Sequence, residues 1–192
     1  METRAELRRR IRQQRAALSP AQQTEAAHRL VDVLLPELLR CQVKQLAIYL
    51  ANDGELNTFP LIQALWQHHI KVALPVLHPF SPGHLLFLQY HPNSPMTANR
   101  YGIAEPRLDL TQLVPLHQLD LILTPLVAFD EQGNRLGMGG GFYDRTLASP
   151  HAPAAMGIAH ECQRVAQLPV ESWDIPLARI ATPAALYQFT PN

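Results

Sequence analysis

Residues 45–76 read QLAIYLANDGELNTFPLIQALWQHHIKVALPV. Gln45–Leu50 is a short run dense in Leu, Ile and Tyr, the signature of a buried strand. Asn52-Asp53-Gly54 is turn chemistry, and Thr58–His69 follows with helical spacing and Thr58 placed to cap it. Lys71–Val76 returns to strand character, with Pro75 weakening its end. Strand, helix and strand within about thirty residues require a crossover, so the two strands run parallel. That grammar predicts an α/β layer fold with a largely parallel sheet.

Working outward, the pattern holds on the C-terminal side. His84–Tyr90 is a further strand candidate, residues 91–118 read as mostly loop, and Leu119–Thr124 (LDLILT) is a strongly apolar strand. Leu126–Phe129 continues that strand or forms a short neighbour, and Asp130–Asn134 supplies a turn. A helix is expected from Phe142 to Ala148, a strand over Ala154–His160, a short helix over Glu161–Gln167 and a last strand over Arg179–Thr182. On the N-terminal side, two helices precede any strand. In the first, Leu7, Ile11, Gln14 and Leu18 fall on one face, and Arg4, Arg8, Arg12 and Arg15 form a stripe beside it. Ser19-Pro20-Ala21-Gln22 begins the second with an N-cap, a proline at the first position and a capping-box glutamine, and this helix is expected to end at Leu35, before Pro36.

The chain has 192 residues with 16 Lys+Arg and 16 Asp+Glu, an apolar share of 47% and a charged share of 17%. This fits one domain, residues 1–192, with a sizeable core. Zero net charge excludes a protein that grips nucleic acid over its whole surface. The sum nevertheless hides an asymmetry: residues 1–15 carry six arginines against two acids, leaving the body mildly acidic. Cys41 and Cys162 lack metal-site spacing or company and point to a reduced, cytosolic chain. No apolar stretch is long enough for a bilayer span, and the N-terminus lacks a secretory h-region.

The chemistry is concentrated in Gly133–Asp144, GNRLGMGGGFYD, which holds five of the nine glycines. Glycine is entropically costly to order, so such density calls for a backbone reason. A loop between a strand and a helix that aims successive N–H groups at an anion is one. Arg135 adds a guanidinium fork suited to phosphate oxygens, and Asp144 a carboxylate suited to a hard cation such as magnesium. The segment is neither a P-loop nor a dinucleotide fingerprint. Given an anion cradle, the arginine stripe reads as a clamp on the same polyphosphate. Glu55 stands at a strand end on the expected ligand side, whereas His68-His69 reads as a surface pair.

Five segments together resemble the 5-formyltetrahydrofolate cyclo-ligase family, also called methenyltetrahydrofolate synthetases: Arg4–Leu18, Leu50–Thr58, Tyr101–Pro106, Asp120–Asp144 and Leu168–Pro176. The resemblance implies a three-layer α/β sandwich and an ATP- and magnesium-dependent ligase that closes 5-formyltetrahydrofolate to 5,10-methenyltetrahydrofolate. It also implies phosphorylation of the formyl oxygen, attack by N10 and release of phosphate. By position it places ATP on Arg4, Arg8 and the run Arg135, Leu136, Gly137, Met138, Gly139, Gly140, Gly141, Phe142 and Tyr143. Arg135 is the residue expected to act in catalysis. Folate falls on Leu50, Glu55 and Met138–Phe142, with Tyr101 lining the pocket, and magnesium on Asp144 and Asp174. Small-molecule substrates, no nucleic acid or membrane partner, and a cytoplasmic monomer complete the expectation. The alternative is a non-catalytic nucleotide- or folate-binding regulator on the same scaffold.

Overall fold

The computed structural model describes residues 2–189, so Met1 and residues 190–192 of the expected 1–192 span lie outside it. Helix α1 spans Arg4–Ala16 and α2 Pro20–Arg40, both opened by a complete capping box, on Thr3 with Glu6 and on Ser19 with Gln22. Then follow β1 (Gln45–Ala47), α3 (Phe59–Gln67), β2 (Lys71–Leu77), β3 (Leu85–Tyr90), β4 (Met96–Ala98) and β5 (Ala104–Pro106). After two single 3-10 turns come β6 (Leu121–Pro125), β7 (Ala128–Phe129), β8 (Arg135–Leu136), α4 (Phe142–Leu147), β9 (Ala154–Ile158), β10 (Arg179–Ala181) and β11 (Leu186–Gln188).

Seven strands form the main sheet in the order β11-β10-β9-β6-β1-β2-β3. β2, β1, β6, β9 and β10 are mutually parallel, and the edge strands β3 and β11 run antiparallel. Alternation along each strand sorts the core into two layers. Leu46, Ile48, Val72, Leu74, Leu121, Leu123, Met156 and Ile158 pack with Leu30, Leu34 and Leu38 of α2 and Leu61, Ile62 and Leu65 of α3. The intervening Ala47, Ala73 and Ile122 face the other way, onto Phe87, Val114 and Leu119, with Tyr143 and Leu147 of α4 beside them. Helices therefore cover both faces, giving the three-layer α/β arrangement.

Several boundaries differ from the sequence-based expectation. α2 does not stop at Leu35 but runs through Pro36 to Arg40. Its buried row Leu30, Leu34, Leu38 continues past the proline, and that burial outweighs the one backbone bond proline removes. Thr58 occupies the N-cap position of α3, yet its hydroxyl donates to the Tyr49 carbonyl at 2.6 Å instead of capping the helix. Pro75 lies within β2, not at its end. Ala73 directs its carbonyl to Ile48 N, and two residues on the proline nitrogen faces the same flank, beyond the end of β1. The expected loop at 91–118 contains the β4–β5 hairpin. Of the two readings of Leu126–Phe129, the separate short strand holds: Ala128–Phe129 forms β7, which pairs with β8 in its own hairpin around Asp130–Asn134 instead of extending β6. Asp130, fully buried, holds that turn by accepting from Gln132 N, Asn134 N, Asn134 Nδ2 and Leu168 N. The expected helix at Glu161–Gln167 is one 3-10 turn, Glu161–Gln163.

Candidate active site

β1 lies inside the sheet, between β2 and the central strand β6; the chain leaves it toward β2 on one side and later returns with β6 on the other. In parallel sheets this reversal opens a crevice at the carboxyl ends of the strands. The segment Leu50–Glu55 follows β1, the β7–β8 hairpin and the glycine loop follow β6, and His160 follows β9. Helix α1 packs against β7 and the Glu161–Gln163 turn, through Leu7 and Ile11 against Val127, Ala128, Leu136 and Leu168.

The glycine loop is tied down by its carbonyls. Arg8 Nε donates to Gly137 O at 2.8 Å, and Arg145 Nη1 donates to Gly140 O at 2.8 Å. None of the N–H groups from Gly137 to Gly141 has a hydrogen-bond partner among the described residues. Gly139 (φ +98°) and Gly141 (φ +67°) adopt left-handed conformations that favour glycine, and Gly141 is the N-cap of α4. The loop therefore presents a run of unsatisfied donors, the arrangement that receives an anion.

Charged side chains surround these donors. Arg135 on β8 is buried; its Nη2 donates to Asp144 Oδ1 at 2.5 Å and its Nε has no partner among the described residues. Arg4 forms a two-nitrogen pair with Asp174, its Nη2 lying 3.1 Å from Oδ1, and also donates to Pro169 O. Burial raises the Asp174 pKa, but the Arg4 hydrogen bonds, the Glu171 N–H and the charges of Arg4 and Arg135 outweigh it, so the carboxyl lies below its ordinary value. Among the described residues no three His, Cys, Asp or Glu side chains gather as an all-protein metal cage. Two carboxylates beside an anion cradle match how magnesium is usually held, through one or two protein oxygens plus phosphate oxygens and water.

The other end of the crevice is organised by Glu55. Its Oε2 accepts from Asn52 N at 3.0 Å and its own N–H donates to Asn52 O. Burial pushes its pKa up to about 7, against the Asn52 bond and the charge of Arg15, which lower it. The phenols of Tyr49 and Tyr143 are also pushed up by burial, with the Glu55 charge adding to the effect on each. Leu50 follows β1, half-buried against the α2–α3 core. Tyr101 is exposed, its ring edge-on to Phe142 at 6.2 Å, and Met138 is exposed at the head of the loop.

The arginine stripe does not act as one clamp. Arg4 and Arg8 reach Asp174 and the glycine loop, whereas Arg12 and Arg15 turn to Asp53. The buried face of α1 is Leu7, Ile11 and Arg15; Gln14 is exposed, contrary to the expected phase. Arg15 is fully buried, donating from Nη2 to Asp53 O at 2.8 Å and Oδ2 at 2.9 Å, while its Nε and Nη1 lack partners among the described residues. With Arg12 it pins Asp53 in a left-handed conformation (φ +51°), two residues before Glu55. His160 is buried beside this pair, and burial, then the Arg15 charge, push its pKa down to about 4, so it is neutral near pH 7. Sequence alone places Arg15 in the stripe, not behind Glu55, and gives His160 no role. A signal existed for the burial of Arg15 in its spacing of four from Ile11; none marked His160.

The crevice thus joins an anion cradle with two carboxylates to a protonatable acid between buried tyrosines. Residues 1–183 match the model of the 5-formyltetrahydrofolate cyclo-ligase family. The chain is 50% identical over 181 residues to the 5-formyltetrahydrofolate cyclo-ligase of Escherichia coli K12, covering 93% of this chain and all of that one. It is 48% identical over 176 residues to the enzyme of that name from Haemophilus influenzae, with 91% and 94% covered. Its fold matches the solution structure of Aquifex aeolicus 5,10-methenyltetrahydrofolate synthetase with a TM-score of 0.82 and 26% identity, over 98% of this chain and 94% of that one. With the family model spanning nearly the whole chain, and two relatives near half-identical, this protein belongs to the 5-formyltetrahydrofolate cyclo-ligase family of enzymes.

Proposed function

We propose that this enzyme converts 5-formyltetrahydrofolate to 5,10-methenyltetrahydrofolate using ATP and magnesium. The observation that carries the ATP reading is the row of unpartnered N–H groups at Gly137–Gly141 beside Arg8 and the orphaned Nε of Arg135. In this reading the γ-phosphate lies in the loop, with Arg4, Arg8 and Arg135 supplying positive charge and Leu136 to Tyr143 forming the wall. Asp144 and Asp174 would hold magnesium, which when bound neutralises phosphate charge and orients the terminal phosphoryl group. The folate pterin lies against Glu55, with Leu50, Tyr101 and Met138–Phe142 bordering it. Glu55 in its ionised form accepts from pterin N–H groups.

The formyl oxygen attacks the γ-phosphorus as the bond to ADP breaks; N10 then attacks the formyl carbon, and the oxygen leaves as phosphate while N10 loses its proton. Such chemistry asks the protein for alignment and charge stabilisation rather than a nucleophile, and none is needed among the groups assembled here. Fixed N–H donors and a buried guanidinium are already oriented before the reaction, so they stabilise the transferring group without reorganising.

The test is spectrophotometric: the methenyl chromophore should appear only when 5-formyltetrahydrofolate, ATP and magnesium are all present. Binding of folate and nucleotide with no absorbance change would instead identify a regulator. Asp144→Asn should raise the magnesium concentration for half-maximal rate by about tenfold, from loss of one charge-assisted contact. A magnesium titration superimposable on that of the unaltered enzyme removes Asp144 from the metal site.

A further inference from the structure

The turn that carries Glu55 is held from α1 by a buried arginine that the proposed chemistry does not use. Arg15 Nη2 donates to both the main-chain oxygen and the carboxylate of Asp53, at 2.8 and 2.9 Å. Gly54, next in the turn, packs on α1 so closely that a Cβ there would touch Arg15 and Ala16. Asn52 closes the turn, accepting from Glu55 N and donating to Glu55 Oε2. The path from Arg15 to the Glu55 carboxylate thus runs through the turn Asn52–Glu55, with Asp53 held at a φ of +51°, uncommon for a residue with a Cβ.

Other contacts to the turn are weaker. Arg12 meets the same carboxylate from a side chain about half exposed, and Gln23 Nε2 donates to Gly54 O at the surface. Exposed pairs of this kind contribute little. Arg15 is fully buried, and its Nε and Nη1 have no partner among the described residues. A buried guanidinium with only part of its donors satisfied is a costly way to hold a turn, and an apolar side chain of similar length would be no less stable there. What the guanidinium supplies that such a side chain does not is a fixed direction for the Asp53 carbonyl and a positive charge near Glu55, where it opposes the effect of burial on that carboxyl.

Resting on the proposed function, in which ionised Glu55 accepts from pterin N–H groups, the aim of that carboxylate sets folate affinity. We infer that Arg15 is a positioning residue for folate: through Asp53 it fixes the turn that presents the Glu55 carboxylate to the pterin. The groups around Glu55 leave its ionisation readable. Burial raises the Glu55 pKa most; the Asn52 bond and the Arg15 charge lower it, and the Asp53 charge raises it. Tyr49 beyond β1 and Tyr143 on α4 are pushed up by burial, as is Cys162, and burial pushes His160 down to about 4. Glu55, at about 7, is therefore the group of this set that changes charge between pH 5.5 and 8.5.

Calorimetric Kd values for 5-formyltetrahydrofolate, taken from pH 5.5 to 8.5, test this without requiring turnover. In the unaltered protein affinity should fall off below a midpoint near 7, set by Glu55. Arg15→Met should weaken the limiting Kd on the alkaline side about tenfold and move the midpoint up, since a cation is removed. Asp53→Asn, which keeps a residue tolerant of positive φ, should weaken it about threefold and move the midpoint down, since an anion is removed. The double variant should bind no more weakly than Arg15→Met alone, because both substitutions break one path. A limiting Kd unchanged by Arg15→Met, losses that multiply in the double variant, or midpoints that move the same way in both single variants overturn the assignment. Should Arg15→Met not fold, Asp53→Asn alone decides: an unchanged limiting Kd, or a midpoint that does not fall, overturns it. No binding by the unaltered protein overturns the folate reading itself, and the positioning role with it.

Discussion

Arg135→Ala is expected to slow the ATP-dependent step by about 10- to 100-fold, the loss of one to two charge-assisted hydrogen bonds at a desolvated site. The structure sharpens the reason. Among the described residues the buried Arg135 bonds Asp144 through Nη2 and has no partner for its Nε. That nitrogen is a donor with a direction but no acceptor, and burial of such a group is costly unless a ligand completes it. Arg135→Lys should recover only part of the rate, because an ammonium cannot serve Asp144 and a phosphate oxygen in fork geometry. Single-turnover rates at saturating ATP check this, and rates equal to those of the unaltered enzyme remove Arg135 from the phosphoryl site. A rise in KM for ATP with kcat preserved would make it a binding group only.

Glu55→Gln should carry the second large effect, about a 100-fold loss in kcat/KM for the folate with KM for ATP little changed, since an amide replaces a charged acceptor of pterin N–H groups. The same substitution should stabilise the free protein at alkaline pH. Glu55 is raised from 4.5 to about 7 in the fold, so between these values the native state keeps a proton that the unfolded chain has released. Stability from the neutral carboxyl is therefore complete below about pH 4.5 and declines as pH rises through 7. An amide does not titrate and has no such loss, so the Tm advantage of the Glu55→Gln variant over the unaltered protein should widen between pH 5.5 and pH 8.5, reaching at least about 2–4 °C. A Tm difference independent of pH contradicts the buried-acid account, and an unaltered folate KM contradicts the pterin role. Opposite changes in activity and stability would mark Glu55 as a residue kept for binding at the expense of the fold.

Much of this was legible because the deciding signals are local. Gln45–Val76 encodes strand, helix and strand by apolar run and turn chemistry, and the parallel pairing of Gln45–Ala47 with Lys71–Ala73 follows. Glycine density at 137–141 likewise announces backbone chemistry without any tertiary information. What was missed depends on partners distant in sequence. Arg135–Leu136 is a strand only because Ala128–Phe129 lies beside it, and Leu186–Gln188 only because Arg179–Ala181 does. α2 passes through Pro36 because Leu38 completes a buried row, a fact set by the sheet it covers.

The arginines show the same limit. Six in fifteen residues form a stripe by spacing, but spacing does not say that Arg12 and Arg15 find Asp53, a residue beyond the next helix. Among the described residues, four of the six, Arg4, Arg10, Arg12 and Arg15, are matched with carboxylates, and Arg8 points instead at the glycine loop. The zero net charge is thus largely a set of local pairings, within which Arg8 and the partly satisfied Arg135 stay available to a ligand. Residues Arg4, Arg8, Arg135, Asp144, Asp174 and the glycines do converge, whereas the buried Arg15–Asp53 contact behind Glu55 could be found only in three dimensions.

Phosphorylation of the formyl oxygen in the proposed crevice lined by Arg135 and Gly137–Gly141 would leave an isotopic record in the released phosphate. It is tested most directly by one turnover of 5-formyltetrahydrofolate labelled with oxygen-18 in the formyl group, in the presence of ATP and magnesium. The account predicts that the released inorganic phosphate carries the label, one atom for each methenyl group formed. Unlabelled phosphate accompanying full methenyl formation would contradict it.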